Sequence, residues 1–198
     1  MQQLIFIRHG ETDSSKRGTY CGWTDIGLNK KGINQAYRIA DKLKNEQICQ
    51  VFSSPLRRTV QTAEIIKDSL SLTVSYVDSL KERNFGEWDD LSYEEIREKY
   101  PQELAQWDKD WINYRIKNGE SAIEAHLRVT AFIDRLIEKN NNGTFLFVTH
   151  LGCIRSLLAH LLGMGIEGTW RFRVQNGSIT RVLVNDEKFA YLTCLNAF

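Results

Sequence analysis

Leu4-Ile5-Phe6-Ile7-Arg8-His9-Gly10 and Phe145-Leu146-Phe147-Val148-Thr149-His150-Leu151-Gly152 decide how this chain is read. Each opens with an uninterrupted apolar run, the pattern of a central strand covered on both faces, and each ends by delivering a histidine at the C-terminal tip. Val51-Phe52 is a shorter run of the same kind. Between the runs lie helical patterns: Ile33, Ala36, Ala40 and Leu43 share one face, and Leu56, Val60 and Ala63 another. Strands alternating with helices predict an α/β sheet. In such sheets ligands bind outside the carboxyl ends of the strands, so two tips on neighbouring parallel strands bring both imidazoles into one crevice.

Ser92 with Glu95 and Ser121 with Glu124 have capping-box spacing, and the second box opens a predicted helix to about Lys139 with Ile123, Leu127, Ile133 and Leu136 on its apolar side. The two prolines, Pro55 and Pro101, each stand where a helix can begin. Residues 74–80 are strand-like, and residues 178–184 and 189–195 read as a terminal hairpin about Asn185-Asp186-Glu187-Lys188. The expected fold is therefore three-layer α/β/α in one domain, residues 1–198, with a mixed, mostly parallel central sheet and a C-terminal antiparallel hairpin. Residues 80–118 form a helical lid excursion, in which Leu104, Trp107, Trp111 and Tyr114 stand at helical spacing and read as core packing. Residues 10–31 show no period before the following helix, the mark of a loop that is either functional or disordered.

Composition narrows the function. Of 198 residues, 42% are hydrophobic and 11% aromatic, enough for a core and against disorder, while 26 Lys+Arg against 25 Asp+Glu leave a net charge of +1. Nothing in that balance gathers nucleic acid or a membrane surface, and no apolar run approaches the length of a membrane span. Cys21, Cys49, Cys153 and Cys194 lack the paired spacing of zinc sites, and Cys49, Cys153 and Cys194 read as buried thiols in a reducing, cytoplasmic setting. No metal site is expected.

A third strand end adds Ser53-Ser54-Pro55-Leu56-Arg57-Arg58, where a helix start would place an arginine in its first turn and free amides towards an anion. Two arginines and two histidines at converging strand ends make a local cationic pocket in a nearly neutral protein, suited to phosphoryl oxygens.

Arg8-His9-Gly10-Glu11-Thr12, the stretch from Ser53 to Ala63, Glu82-Arg83-Asn84-Phe85-Gly86-Glu87-Trp88, Asn118-Gly119-Glu120-Ser121 and Thr149-His150 together resemble the histidine phosphatase, or phosphoglycerate mutase-like, superfamily. The resemblance implies that His9 is a nucleophile forming a phosphohistidine, that Arg8, Arg58 and His150 hold the phosphoryl oxygens, and that Glu82 protonates the leaving group. Neither metal nor cofactor is then required. Ser15 stands where the family commonly has an asparagine that meets the phosphate, and its shorter hydroxyl can still donate. Cys21 and Gly22 match a substrate-contacting pair of mutase relatives, and Leu151 follows the second histidine into the site. Glu87, Asp89 and Asp90 carry no such match and are expected on the surface.

Length, the Asn118-to-Ser121 segment and Trp170-Arg171-Phe172-Arg173-Val174-Gln175-Asn176-Gly177 are most similar to the α-ribazole phosphatases. That likeness implies a small phosphorylated metabolite as partner, namely α-ribazole 5'-phosphate in cobalamin nucleotide-loop assembly. A cofactor-dependent phosphoglycerate mutase and a broad-specificity small-metabolite phosphatase share the same residues, although such mutases are usually longer. A non-catalytic phosphate-binding module is a further alternative, against which the retention of Glu82 argues. The oligomeric state is left open.

Overall fold

A computed structural model of the chain describes residues 1–140 and 142–198. Among them six strands make one sheet: β1 (Gln2–Arg8), β2 (Ile48–Ser53), β3 (Val74–Tyr76), β4 (Gly143–Thr149), β5 (Ile179–Val184) and β6 (Ala190–Ala197), in spatial order β3-β2-β4-β1-β5-β6. Four strands run parallel, and β5 and β6 close the sheet as an antiparallel pair beside β1. The helices are α1 (Asp13–Arg17), α2 (Lys30–Leu43), α3 (Arg57–Leu70), α4 (Tyr93–Lys99), α5 (Pro101–Lys109), α6 (Ala122–Lys139) and α7 (Leu151–Leu161).

The continuous apolar runs have a direct cause. Successive strand side chains point to opposite faces. Ile5, Ile7, Leu146 and Val148 pack with Ile39 and Leu43 of α2 and Ala63 and Ile66 of α3. Leu4, Phe6, Phe145 and Phe147 face Val129 and Ile133 of α6 and Ile154 and Leu157 of α7. Both faces are thus dry, and three layers result. Capping boxes at Ser92 and Ser121 fix the starts of α4 and α6, and Pro101 opens α5.

Several local expectations change. Ile33 is 37% exposed, and Ile39 takes its place on the buried face of α2. Leu127 is 58% exposed because it lies a step of roughly 100° past His126, on the flank of a buried stripe formed by His126, Val129, Thr130, Ile133, Leu136 and Ile137. Val60 is only half-buried, and α3 starts at Arg57, two residues after Pro55, with Leu56 as its N-cap. Residues 74–80 are strand only to Tyr76, after which the 3-10 turn Asp78–Leu80 drives Leu80 into the core. The loop between Gly10 and Lys31 contains α1, capped reciprocally by Thr12 and Ser15. Cys153 is buried, whereas Cys49 is exposed and Cys194 half-buried, so chain neighbours alone mispredict them.

Residues 80–118 rise over the C-terminal edge of the sheet and carry their own apolar cluster of Trp88, Ile96, Leu104 and Ile116, with Trp107 and Tyr114 packed against it. Trp111 lies beyond the end of α5 at Lys109 and does not join that cluster, which corrects the reading of the aromatic stripe as one core surface.

Phe147 is fully buried between Phe6 and Phe52, with ring centroids 5.1 and 5.5 Å away. Phe147→Ala should cost about 3–5 kcal/mol in urea unfolding through the cavity it leaves. Leu127→Ala should change stability by only about 0.5 kcal/mol or less. A small effect of the first substitution would contradict the packing described.

Candidate active site

β1 and β4 pair in step, Arg8 opposite Thr149, so the next residue of each chain leaves the sheet at the same point. Those residues are His9 and His150, whose ring centroids lie 5.3 Å apart at 61°. His9 is 5% exposed and His150 fully buried. His9 Nδ1 lies 2.8 Å from the Gly10 carbonyl, which only accepts, so Nδ1 carries the proton and Nε2 keeps its lone pair. Burial pushes the His9 imidazolium far below the usual histidine range, Arg58 and Arg8 push it further, and the Gly10 bond opposes them.

Arg58 lies in the first turn of α3 and is 1% exposed. Its Nε donates to His150 Nδ1 at 3.2 Å, Nη1 to the Thr24 carbonyl at 3.0 Å and Nη2 to the Gly22 carbonyl at 2.6 Å. A guanidinium only donates, so His150 Nδ1 is the acceptor there and Nε2, 2.8 Å from Ser54 Oγ, carries the proton and donates. Burial first, then Arg58, His9 and Arg8, keep His150 neutral. Arg8 donates Nη1 to the Val174 carbonyl at 2.7 Å and leaves a buried Nε without a partner among the described residues. Burial lowers its pKa to about 10 although Glu82 opposes the shift.

Glu82 is 7% exposed, and its carboxylate accepts from the Arg83 amide and from the Gly152 amide in the first turn of α7, both at 2.9 Å. A Cβ on Gly152 would lie 2.3 Å from Glu82 Oε1, so glycine is what permits this approach. The segment bearing Glu82 is clamped from below. Arg128 of α6 donates to the carbonyls of Ser79, Lys81 and Glu82, and its guanidinium makes two 2.9 Å bonds to the two Glu120 carboxylate oxygens. Glu120 also accepts from the Asn84 amide.

Arg8, His9, Arg58, Glu82, Ser15, Cys21 and Leu151 line one cavity of about 510 Å³. His150 and Gly22 stand outside its lining and hold Arg58 from behind. Ser15 accepts from the Thr12 amide and donates to the Thr12 carbonyl, so its hydroxyl serves the α1 cap. Cys21 is half-buried, and burial raises its thiol pKa.

Asp89 is a correction: it is not a free surface charge. Its carboxylate gathers the amides of Gly22, Trp23 and Thr24, which turns the Gly22 and Thr24 carbonyls onto Arg58. Asp90 likewise binds Thr19 and Arg17, and Glu87 pairs with Lys117. Gly152, Asp89, Glu120 and Arg128 are positioning residues that have no assigned role in the sequence reading. Signals existed for Gly152, beside His150, and for Glu120, inside a quoted motif. Arg128 had none, being one arginine on a helix.

Residues 4–197 match the histidine phosphatase superfamily (branch 1), and the chain belongs to that superfamily. It is 33% identical over 195 residues to the adenosylcobalamin/α-ribazole phosphatase of Escherichia coli, covering 98% of this chain and 96% of that protein. It is 30% identical over 188 residues to phosphoserine phosphatase 1 of Hydrogenobacter thermophilus, covering 95% of this chain and 89% of that protein. The crystal structure of the α-ribazole phosphatase from Shigella flexneri superposes with a TM-score of 0.92 at 33% identity, covering 99% of this chain and 96% of that one. Among the described residues no helix is long and apolar enough to cross a membrane.

The histidine pair makes stability pH-dependent. Both native pKa values lie well below 6.5, whereas an unfolded histidine takes up a proton near that value. The unfolded state therefore binds more protons as pH falls below about 6.5, and stability should drop by about 1.4 kcal/mol per pH unit for each such histidine. Urea unfolding between pH 7 and pH 5 measures the slope, and His9→Asn should reduce it by one histidine's share. An unchanged slope in that variant would mean that His9 is not held neutral.

Proposed function

We propose that the protein is a phosphomonoesterase working through a phosphohistidine on His9, with α-ribazole 5'-phosphate as its substrate in cobalamin nucleotide-loop assembly. One observation carries the chemistry: the Gly10 carbonyl holds the proton on Nδ1, so the unprotonated Nε2 of a neutral His9 stands among Arg8, Arg58 and Glu82. In this reading Nε2 attacks phosphorus as the ester oxygen departs, and Glu82 in its protonated form gives that oxygen a proton. Water then attacks the phosphohistidine, Glu82 takes a proton from it, and inorganic phosphate leaves with His9 restored. Arg8 and Arg58 line the cavity beside His9, where their guanidiniums stabilise the charge that builds on the phosphoryl oxygens. His150 acts through Arg58: its Nδ1 accepts from Arg58 Nε while its Nε2 donates to Ser54 Oγ, which fixes the guanidinium for the phosphoryl oxygens.

The substrate rests on the likeness to the α-ribazole phosphatases of E. coli and S. flexneri and on the aromatic lining of the cavity. The likeness to phosphoserine phosphatase 1 favours a second reading, hydrolysis of a short carboxylated ester. Relative kcat/KM for α-ribazole 5'-phosphate, O-phosphoserine and 3-phosphoglycerate separates the two, and a clear preference for either short ester removes the first.

During turnover, acid-labile phosphate should be trapped on His9, and phosphate should appear in step with substrate loss without added 2,3-bisphosphoglycerate. Label on another residue, or formation of 2-phosphoglycerate outrunning phosphate release, would overturn the mechanism. Glu82→Gln should slow alkyl esters about 10²-fold or more and aryl esters far less, since a phenolate leaves with little help. Gly152→Ala should bias the ratio in the same direction by displacing the Glu82 carboxylate. Equal losses on both ester classes would remove the acid role of Glu82.

A further inference from the structure

Trp111 and Trp170 are large side chains that the apolar cores do not use. Trp111 stands in the turn after α5, outside the lid cluster. Trp170 is 56% exposed in the 3-10 segment Ile166–Arg171 that follows α7. Although they belong to separate segments, their rings meet edge to face with centroids 5.5 Å apart, and both line the cavity that contains His9 and Glu82. Leaving a tryptophan half in water forgoes burial of its large apolar face, and such a face at a cavity mouth is free for a ligand.

Arg155 of α7 ties this aromatic pair to the phosphoryl end. Its Nε donates to the Phe172 carbonyl at 2.7 Å, and its guanidinium carbon lies 5.5 Å from the Trp170 ring centroid. It lines the same cavity as Arg8 and Glu82, and its terminal nitrogens make no hydrogen bond to the described residues. Tyr20, Phe85, Trp107 and Ile166 make the rest of this end aromatic or apolar. Arg83 also lines this cavity, with Nε donating to the Glu120 carbonyl and Nη2 to the Tyr114 carbonyl.

We infer that Trp111 and Trp170 form a leaving-group subsite that grips a flat aromatic ring system, with Arg155 donating to hydroxyls on the sugar between that ring and the phosphate. The inference rests on the phosphomonoesterase reading and deepens it: the subsite selects esters of large aromatic alcohols over short charged ones. Apolar walls supply area and stacking to a neutral ring, while a short carboxylated alcohol leaves the walls uncovered. Selectivity thus arises where the lid meets the segment after α7, away from the reacting atoms.

The test compares kcat/KM for α-ribazole 5'-phosphate and for O-phosphoserine in the wild type, Trp111→Ala, Trp170→Ala and Trp170→Phe, each shown to be folded by circular dichroism. Stacking of a base on one aromatic side chain contributes enough for a loss of about 10-fold or more. The aromatic-to-short ratio should fall by about that factor in each alanine variant, chiefly through KM, and Trp170→Phe should recover most of it. A ratio that moves less than about 2-fold in both alanine variants overturns the subsite, as does a wild type that prefers O-phosphoserine. Binding of dephosphorylated α-ribazole, followed by isothermal titration calorimetry, reads the subsite without chemistry. An affinity that falls about 10-fold in the alanine variants supports the inference even if no ester is hydrolysed and an unchanged affinity overturns it, whereas turnover surviving in His9→Ala refutes the phosphohistidine reading alone.

Discussion

Seven consecutive residue pairs lock β1 against β4, from Gln2 opposite Gly143 to Arg8 opposite Thr149. Because the strands are parallel and in step, both chains leave the sheet at the same height, and His9 and His150 become neighbours without any contact designed between them. A slip of one residue would turn every side chain of β1 to the wrong layer, exchanging Leu4 and Phe6 for Ile5 and Ile7. The core therefore enforces the geometry of the site: hydrophobic complementarity on two faces sets the register, and the register sets the histidines.

Around that pair the chain buries more positive charge than it neutralises. Burial and the neighbouring guanidiniums together disfavour a charge on either imidazole, and both stay neutral. Burial of Arg58 is tolerated because carbonyls, not carboxylates, surround it. The loop from Cys21 to Thr24 turns its oxygens inward and its amides outward to Asp89. A carboxylate in contact with Arg58 would cancel the charge an incoming phosphoryl group needs, whereas Asp89 acts at one remove. Glu82 is held by backbone amides and steadied by the Glu120–Arg128 pair through main-chain carbonyls.

Much of this was legible from local pattern. Apolar runs ending in histidine give strands, order and the edge that carries chemistry, since strand burial is written in contiguous residues. Capping boxes at Ser92 and Ser121 are equally local. Where the pattern misled, the cause was rotational. Ile33 and Leu127 are apolar residues on the flanks of their helices, and only the position of the sheet shows which side is covered. Trp111 matched the spacing of a helix that ends two residues earlier.

The sequence by itself determined the α/β alternation, the two histidine-bearing strand ends and the family, because each is carried by residues adjacent or nearly adjacent in the chain. Only the tertiary structure decided that Asp89 orients the loop around Arg58, that Gly152 makes room for Glu82, that Arg128 clamps three carbonyls of another segment, and that Trp111 meets Trp170. These contacts join residues separated by dozens of positions, and their strength depends on burial and direction. Neither quantity exists until the sheet, the lid and the helices have packed.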